Sequence, residues 1–238
     1  MQKGYIKRTT CRICNSPNLV PVLSLGNMPP ANAFLKKTAF SRERSFPLTL
    51  VFCPRCSLAQ LREVVDPKVL FATYSYLSNA SAPLVRHFAD YAAEVMRRYP
   101  LRKKDLVVDI GSNDGTLLLQ FKKKARVFGV DPAKNVAEIA RSAGVPTEAS
   151  FFTVAVARRL KKKHGSAAIV LANNVFAHID DIHEVLRGVK ELLSDDGVYI
   201  FESHWVGNLL GSGGFDQIYH EHLSYYSLHA LSRLAWIH

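Results

Sequence analysis

The sequence predicts an α/β protein in which a parallel sheet flanked by helices follows a small module with two cysteine pairs. From Asp105 onward, short β-branched runs alternate with segments of helical periodicity; the runs are LVVDI, RVFGVD, AAIVLAN and GVYIFE. This alternation is typical of parallel sheets in which a helix links each strand to the next. Residues 1–70, by contrast, are rich in proline, cysteine and turn-forming residues and show little helical periodicity.

The helical segments of this pattern can be placed by their apolar spacing and their end signals. Residues 82–100 predict an amphipathic helix that ends at Pro100. Further helices are expected from Thr116, over 134–143 and over 181–193, and five strands are expected when a short one near 145–147 is included. We therefore predict two domains, one over residues 1–75 and one over residues 76–238.

Length and charge limit the classes of function. The 238 residues suffice for one core domain with a small appendage. No apolar run approaches the roughly 18 residues of a membrane span, and no signal peptide is evident, so we expect a soluble, cytoplasmic protein. Lys and Arg outnumber Asp and Glu by 31 to 20, which favours anionic ligands. The basic runs lack the interleaved aromatic residues of a nucleic-acid stacking surface.

The cysteines form two C-x-x-C pairs, Cys11 with Cys14 and Cys53 with Cys56. This spacing lets two thiolates from each pair bind one tetrahedral Zn²⁺. Four thiolates leave no open position on the metal, so the predicted role of zinc is structural. Two disulfides or a redox pair are the alternatives, and the expected reducing compartment disfavours them.

A glycine-containing loop, DIGSNDGT, follows the first strand of the predicted parallel sheet. Gly111 allows a tight turn at the carboxyl edge, where such sheets bind ligands, and Asp131 ends the next strand, where an acid can bind ribose hydroxyls. Asp109 and Asp114 would repel a pyrophosphate but suit a cofactor with a sulfonium and an ammonium group. S-adenosylmethionine therefore fits better than NAD, and a purely structural glycine turn is the alternative.

Two polar segments follow the last two strands. NNVFAHI begins at Asn173, and YHEH spans residues 219–222. Both follow strand ends, so we expect them to meet over the cofactor cleft, where His, Glu and Tyr side chains can move a proton or stabilise an oxyanion. If residues 219–222 form one strand, His220 and His222 alternate with Glu221 across its faces, which disfavours a catalytic metal.

These motifs together resemble the sugar C-methyltransferases that build branched deoxysugars. The resemblance rests on CRIC, CPRCSLAQL, FATYSYLS, DIGSNDGTLL, GVDPAKNVAEIA, NNVFAHIDD and FDQIYHEHLSYYSL, which are spread over nearly the whole chain. It implies a zinc-binding N-terminal domain, a Rossmann-like class I methyltransferase domain that binds S-adenosylmethionine, and a C-terminal domain that helps hold a nucleotide-linked sugar. The chain covers the first two parts, so we expect it to be a piece of a longer protein.

The resemblance also implies roles for individual residues. His222 would be the general base, with Glu221 and Tyr219 beside it, His178 near a keto oxygen, and Tyr76 reaching into the same cleft. The substrate would be a keto-deoxysugar linked to dTDP or a related nucleotide. The candidate cofactor contacts are Asp109, Gly111, Ser112, Asn113, Asp114, Asp131, Pro132, Asn173 and Asn174.

Three other functions stay open at this level. The same cofactor fold serves many acceptors, so a small-molecule O-methyltransferase is the runner-up. The net charge and the cysteine pairs also allow a nucleic-acid methyltransferase. A truncated chain without activity is the third alternative.

Overall fold

The structure, a computed structural model, describes residues 4–71 and 75–238, so the FATYSYLS motif lies partly outside the described residues. The chain forms two compact units. The first unit contains the described residues up to Leu70 together with Phe176–His183 and Ser203–His238, and the second contains Phe71–Val175 and Glu184–Glu202. Each unit draws on separate stretches of chain, so the units do not test the predicted domain boundary at residues 75 and 76.

Strands and helices are numbered along the described chain. The strands are β1 Tyr5–Lys7, β2 Val20–Met28, β3 Phe46–Cys53, β4 Leu58–Leu61, β5 Glu63–Val65, β6 Leu106–Ile110, β7 Arg126–Val130, β8 Thr147–Glu148, β9 Ala167–Asn173, β10 Leu193–Glu202 and β11 Ser224–Tyr225. The helices are α1 Pro67–Phe71, α2 Ala82–Arg98, α3 Thr116–Phe121, α4 Lys134–Ser142, α5 Val154–His164, α6 Ile182–Leu192, α7 Val206–Ser212 and α8 Leu228–Ile237. Among them, no helix is both long and apolar enough to cross a bilayer.

The second unit is built on a five-stranded parallel sheet with the order β10-β9-β6-β7-β8. This confirms the predicted fold class and the predicted number of strands. Strand β6 is buried at all of its positions, as expected for a central parallel strand that is covered on both faces. Asp109 on β6 pairs in register with Gly129 on β7 and with Leu171 on β9.

Helices α2 and α3 share the main apolar core of the second unit with strands β6, β7 and β9. Helix α2 starts where the Ser81 hydroxyl accepts a hydrogen bond from the Leu84 amide at 3.4 Å, a standard N-cap. It ends at Arg98, two residues before Pro100, close to the predicted end. The hydrophobic face of this helix contributes Phe88, Ala92 and Val95 to the core.

The first unit contains an antiparallel sheet of order β11-β4-β3-β2 and a separate pair, β1 with β5. Strand β11 lies far along the chain from β4, yet Ser224 and Tyr225 pair with Gln60 and Ala59. An apolar cluster beneath this sheet joins residues of β3 and β4 to residues from the end of the chain, among them Ile218 and Leu223. The sequence analysis did not foresee this sheet.

Candidate functional site

The four cysteines of the first unit converge on one point. Each pair closes a tight turn, and the residue after each pair, Asn15 or Ser57, has a positive φ. The sulfurs of Cys11 and Cys56 lie 3.4 Å apart, those of Cys14 and Cys53 lie 3.6 Å apart, and all four lie within 4.8 Å of one another.

This arrangement fits zinc and not disulfides. Four sulfurs at ~2.3 Å from one Zn²⁺ in a tetrahedron lie roughly 3.8 Å from one another. A disulfide needs about 2.05 Å between its sulfurs, and all four cysteines are free. Within the described parts of the chain, they form the one group of His, Cys, Asp and Glu side chains close enough to bind a metal. The four thiolates would complete the coordination of zinc, which stabilises the fold without contacting substrate.

In the second unit, the glycine loop after β6 has little room for side chains. Gly111 has a φ of +72°, and a Cβ atom there would lie 2.6 Å from a methyl carbon of Val175. Gly115 has a φ of +81°, and its Cβ would lie 3.0 Å from Val145. At both positions the positive φ and the lack of room for a Cβ atom require glycine, as expected of a loop that brings its backbone close to a cofactor.

Asn113 and Asp114 hold this loop to a neighbouring segment. The Asn113 side-chain oxygen accepts from the amide of Ser78 at 3.2 Å, and its Nδ2 donates to the carbonyl of Tyr76 at 3.0 Å. Asp114 Oδ2 accepts from the amide of Asn79 at 2.8 Å. These two predicted cofactor residues thus fix the backbone of the segment that carries Tyr76, whose side chain is half exposed.

Asp131 directly follows β7, and its carboxylate shapes the turn that contains Pro132. Its two oxygens accept from the amides of Asn113 and Ala133, both at 2.9 Å. Each carboxylate oxygen has a second lone pair that can receive a ribose hydroxyl. Burial raises the pKa of this carboxyl group above its usual range.

Asp109 is the most strongly perturbed acid of the second unit. Burial raises its pKa to about 8, and the nearby carboxylate of Asp131 acts in the same direction. Among the described residues, neither a hydrogen bond nor a positive charge lowers this pKa, and a buried carboxylate without a cation is unfavourable. A cationic cofactor would supply the missing positive charge.

Other polar atoms at the carboxyl edge of this sheet also lack partners. Ser112 Oγ and Asn173 Nδ2 are buried without a hydrogen-bond partner among the described residues. Asn173 Oδ1 accepts from the Tyr91 hydroxyl at 3.2 Å, and Asn174 Nδ2 donates to Glu202 at 2.6 Å. Buried polar groups are nearly always satisfied in native proteins, so the unsatisfied atoms indicate a ligand. Their donor set and the acids beside them fit S-adenosylmethionine.

In the first unit, a tight turn joins Tyr219 to His222. The His222 amide donates to the Tyr219 carbonyl at 3.0 Å, so residues 219–222 form a turn and not a strand. The turn places the Tyr219 hydroxyl 3.0 Å from His222 Nε2, a contact that a strand would have separated. His222 Nδ1 lies 3.0 Å from the Gln217 carbonyl.

These two contacts define the state of His222. A carbonyl only accepts, so Nδ1 carries the hydrogen and Nε2 has the lone pair that accepts from Tyr219. The pKa of His222 is lowered to about 4, mainly by burial, and the nearby imidazole of His204 acts in the same direction. Burial also raises the pKa of Tyr219 to about 12. Near neutral pH the pair is therefore a neutral imidazole base and a protonated phenol.

His178 lies against His222, with ring centroids 5.0 Å apart and an interplanar angle of 86°. The segment before His178 is anchored by two hydrogen bonds. The Leu223 amide donates to the Ala177 carbonyl at 2.8 Å, and the Tyr226 hydroxyl donates to the Phe176 carbonyl at 3.2 Å. The structure thus brings together His178, Tyr219 and His222, as the sequence analysis proposed.

The other two polar residues of the YHEH segment face different partners. His220 is 1% exposed, and its Nε2 lies 3.2 Å from the Phe46 carbonyl, so it supports the fold. Glu221 is 2% exposed and accepts from Asn32 Nδ2 at 2.8 Å, while its second oxygen has no partner in the described chain. Burial raises the pKa of Glu221 above its usual range, and the hydrogen bond from Asn32 opposes this effect in part.

A further histidine, His204, lies beside this group and was not among the predicted site residues. Its exposed imidazole lies beside His222, with ring centroids 5.0 Å apart. One signal was available, since His204 comes directly after the carboxyl end of the strand GVYIFE. Polar residues at such strand ends are candidates for functional sites.

Replacing Gly111 by alanine tests the loop. Because of the positive φ and the contact with Val175, we expect a loss of about 1–3 kcal/mol in the free energy of unfolding. We also expect at least ~10-fold weaker binding of S-adenosylmethionine by calorimetry, the equivalent of ~1.4 kcal/mol. Gly211→Ala is the control, because nothing lies within 4 Å of its added Cβ. Unchanged cofactor affinity in Gly111→Ala would place the cofactor elsewhere.

Two family models match the chain. Residues 11–71 match a family described as "Putative zinc binding domain", and residues 84–237 match one described as "Methyltransferase domain". The second match covers most of the chain and includes the parallel sheet with its glycine loop. The first includes both cysteine pairs.

The chain is also similar to a curated protein and to solved structures. The C-methyltransferase NovU of Streptomyces niveus is 40% identical over 226 residues, which are 94% of this chain and 54% of that protein. The chain thus spans about half the length of this relative. The YcgJ protein of Bacillus subtilis is 18% identical with a TM-score of 0.49, covering 63% of this chain and 67% of that one. The plantazolicin methyltransferase BpumL, solved with SAH, is 13% identical with a TM-score of 0.46, covering 66% and 58%.

The expected resemblance to sugar C-methyltransferases fits both family matches and the NovU relative. The cysteine cluster together with the zinc-binding match confirms zinc as one cofactor. The parallel sheet together with the methyltransferase match confirms S-adenosylmethionine as the other. The chain therefore belongs to the S-adenosylmethionine-dependent methyltransferases, with a zinc-binding domain over residues 11–71 and a methyltransferase domain over residues 84–237.

Proposed function

We propose that this enzyme methylates a carbon next to the ketone of a nucleotide-linked deoxysugar, with His222 as the base that removes the proton. The observation that carries the proposal is the buried, neutral His222, whose Nε2 lone pair is held by the Tyr219 hydroxyl and whose ring contacts His178. The name of the NovU relative, a C-methyltransferase, supports carbon as the acceptor atom. Because this chain spans about half of that protein, its activity and its substrate are both part of the proposal.

The site has the groups that are needed to remove a proton from a carbon atom. Removing a proton next to a ketone leaves negative charge on the carbonyl oxygen, so the reaction needs a base and a hydrogen-bond donor to that oxygen. His222 Nε2 is the base, and the Tyr219 hydroxyl and His178 are the candidate donors. Without substrate, the Tyr219 hydroxyl donates to His222 Nε2. When it donates to the substrate oxygen instead, the lone pair of Nε2 becomes free to accept the proton from carbon. Bound S-adenosylmethionine supplies the electrophilic methyl group.

Other predicted residues have supporting roles in the proposal. Glu221 adjoins His222 in the turn, and its second carboxylate oxygen, without a partner among the described residues, is a candidate contact for the substrate. The backbone carbonyl of Tyr76 accepts a hydrogen bond from Asn113, and we keep Tyr76 as a candidate substrate contact.

The net charge of +11 suits the diphosphate of a dTDP-linked sugar. Zinc thiolates fit a reducing compartment, and we place the enzyme in the cytoplasm.

The test follows deuterium uptake and mass gain. The purified chain is incubated in D₂O with a dTDP-4-keto-6-deoxysugar, with and without S-adenosylmethionine. We expect exchange of the carbon-bound proton, and a methyl mass gain only with the cofactor. His222→Asn should lower the exchange rate about 10²- to 10⁴-fold. The control His229→Asn changes an exposed histidine on α8 and should leave the rate unchanged.

The pH dependence of exchange distinguishes His222 from an ordinary histidine. The base is active in its neutral form, and its pKa is lowered to about 4 by burial. The rate should therefore hold as the pH falls from 7 to about 5 and decline only near 4, whereas an exposed histidine would lose activity near 6.5. Methylation without exchange would point to an oxygen acceptor. Exchange that persists in His222→Asn would assign the base to another residue.

A further inference from the structure

Arg12, the second residue of the first cysteine pair, has a fully buried side chain. It forms an ion pair with Asp180, with 2.9 Å between Nε and Oδ1, while the Asp180 side chain is 26% exposed. Arginine is rarely buried, because removing its charge from water is costly unless its partners are placed to form hydrogen bonds with it.

The guanidinium of Arg12 is fixed by more than its carboxylate. Its Nη1 donates to the Leu61 carbonyl at 2.6 Å and to Gln60 Oε1 at 3.0 Å. Gln60 Oε1 also accepts from the Arg12 backbone amide at 3.1 Å. The side chain is thus locked between the cysteine turn and strand β4, and it offers a rigid donor to Asp180. Asp180 also contacts Arg8, at 3.1 Å, but the Arg8 side chain is partly exposed.

Asp180 comes two residues after His178 in the chain. The other side of this segment is held by the hydrogen bonds that Leu223 and Tyr226 make to Ala177 and Phe176. His178 therefore lies between two anchors. One is made by Leu223 and Tyr226, which follow the turn with His222, and the other is made by Arg12 in the cysteine turn that fits zinc.

We propose that Arg12 is a positioning residue through which the zinc-binding turn holds His178 against His222. Zinc fixes the turn between Cys11 and Cys14, Arg12 extends from that turn to Asp180, and Asp180 fixes the end of the His178 segment. The zinc module thus contributes to the geometry of the histidine pair as well as to the stability of the fold. The effect of Arg12 on catalysis rests on the proposed function, whereas its effect on the position of the His178 side chain does not.

The test compares Arg12→Lys with the wild-type chain, both loaded with zinc. Lysine keeps the charge but lacks the planar fork that bonds several acceptors at once. We expect zinc content and cofactor affinity to be retained, and the imidazole NMR signals of His178 and His222 to shift. The rate constant for deuterium exchange should fall roughly 10- to 100-fold, since small displacements of a catalytic group have effects of this size. The KM for the keto-sugar should change less than the rate constant.

Two further variants keep the result decisive. Leu234→Ala removes a buried side chain of α8 and should lower stability without shifting the His178 signal. Asp180→Asn leaves Arg12 and the cysteine turn unchanged, and it should shift the same imidazole signals. It therefore tests the proposal even if Arg12→Lys loses zinc or fails to fold. Wild-type imidazole signals in a folded, zinc-loaded Arg12→Lys or Asp180→Asn would overturn the proposal. If the wild-type chain shows no exchange, the proposed function fails, and the NMR comparison still tests the position of His178.

Discussion

Removing zinc with a chelator is expected to release about one metal ion per chain and to unfold the first compact unit at a much lower temperature. Cys11, Cys14, Cys53 and Cys56 approach one another as four thiolates around one ion do. In small zinc peptides such sites contribute ~10–16 kcal/mol, and the metal-binding free energy is folding free energy. This unit also has an apolar core under its sheet, which a chelator does not remove. We therefore expect chelation to lower the free energy of unfolding by a large part of the ~10–16 kcal/mol, but not by all of it.

The measurement combines metal analysis, thiol titration and thermal unfolding. With zinc bound, the thiols should resist modification, and after chelation all four should react. Cys53→Ser should reproduce the loss of zinc and of stability, whereas Ser57→Ala, four positions along, should change neither greatly. A native chain that lacks zinc and shows the mass deficit of disulfide formation would contradict the zinc site.

Binding of S-adenosylmethionine is expected to release a proton and to strengthen as the pH rises toward 8. The pKa of Asp109 is raised to about 8, first by burial and then by Asp131, so its protonated form predominates at pH 7. A cationic cofactor favours the carboxylate and thus lowers that pKa. Binding should therefore release about one proton at pH 7, and its pH dependence should level off above the pKa of Asp109.

Calorimetry in buffers with different ionisation enthalpies measures this proton release. Asp109→Asn should abolish it, whereas the control Asp105→Asn, which changes the residue directly before the same strand, should not. Cofactor affinity that stays constant between pH 6 and pH 9 would show that the charge of the cofactor is not near Asp109.

The same group makes the cofactor-free protein less stable as the pH rises. The pKa of Asp109 is about 3.9 in the unfolded chain and about 8 in the folded one, so the folded state binds the proton more tightly. Its contribution to the free energy of unfolding is therefore present below pH 4 and is lost progressively between pH 4 and pH 8. The shift corresponds to a loss on the order of 5 kcal/mol, and Asp109→Asn should remove this pH dependence.

The second unit could be predicted well from the sequence because its signals are local. Continuous apolar runs such as LVVDI mark buried parallel strands, and the intervening helices carry their own periodicity and end signals, such as Ser81 before α2. The cysteine spacing likewise identified the zinc centre. These features depend on residues that are near one another in the chain.

The first unit could not be predicted in the same way, because its contacts join distant residues. Nothing local indicates that Ser224 pairs with Gln60 or that Arg12 reaches Asp180. The turn at Tyr219–His222 was also missed, since YHEH contains no glycine or proline to mark it. The hydrogen bond from the Tyr219 hydroxyl to His222 follows from that turn.

The pairing of β11 with β4 also sets an order of events during protein synthesis. Both cysteine turns are complete once Cys56 has left the ribosome, so a nascent chain can capture its metal early. The sheet that those turns join, however, gains its last strand only after Ser224 and Tyr225 emerge. The turn with His222 lies directly before that strand. A chain still being translated can thus bind zinc before its base has been made, and the pair of His178 and His222 can form only after residue 222 has emerged.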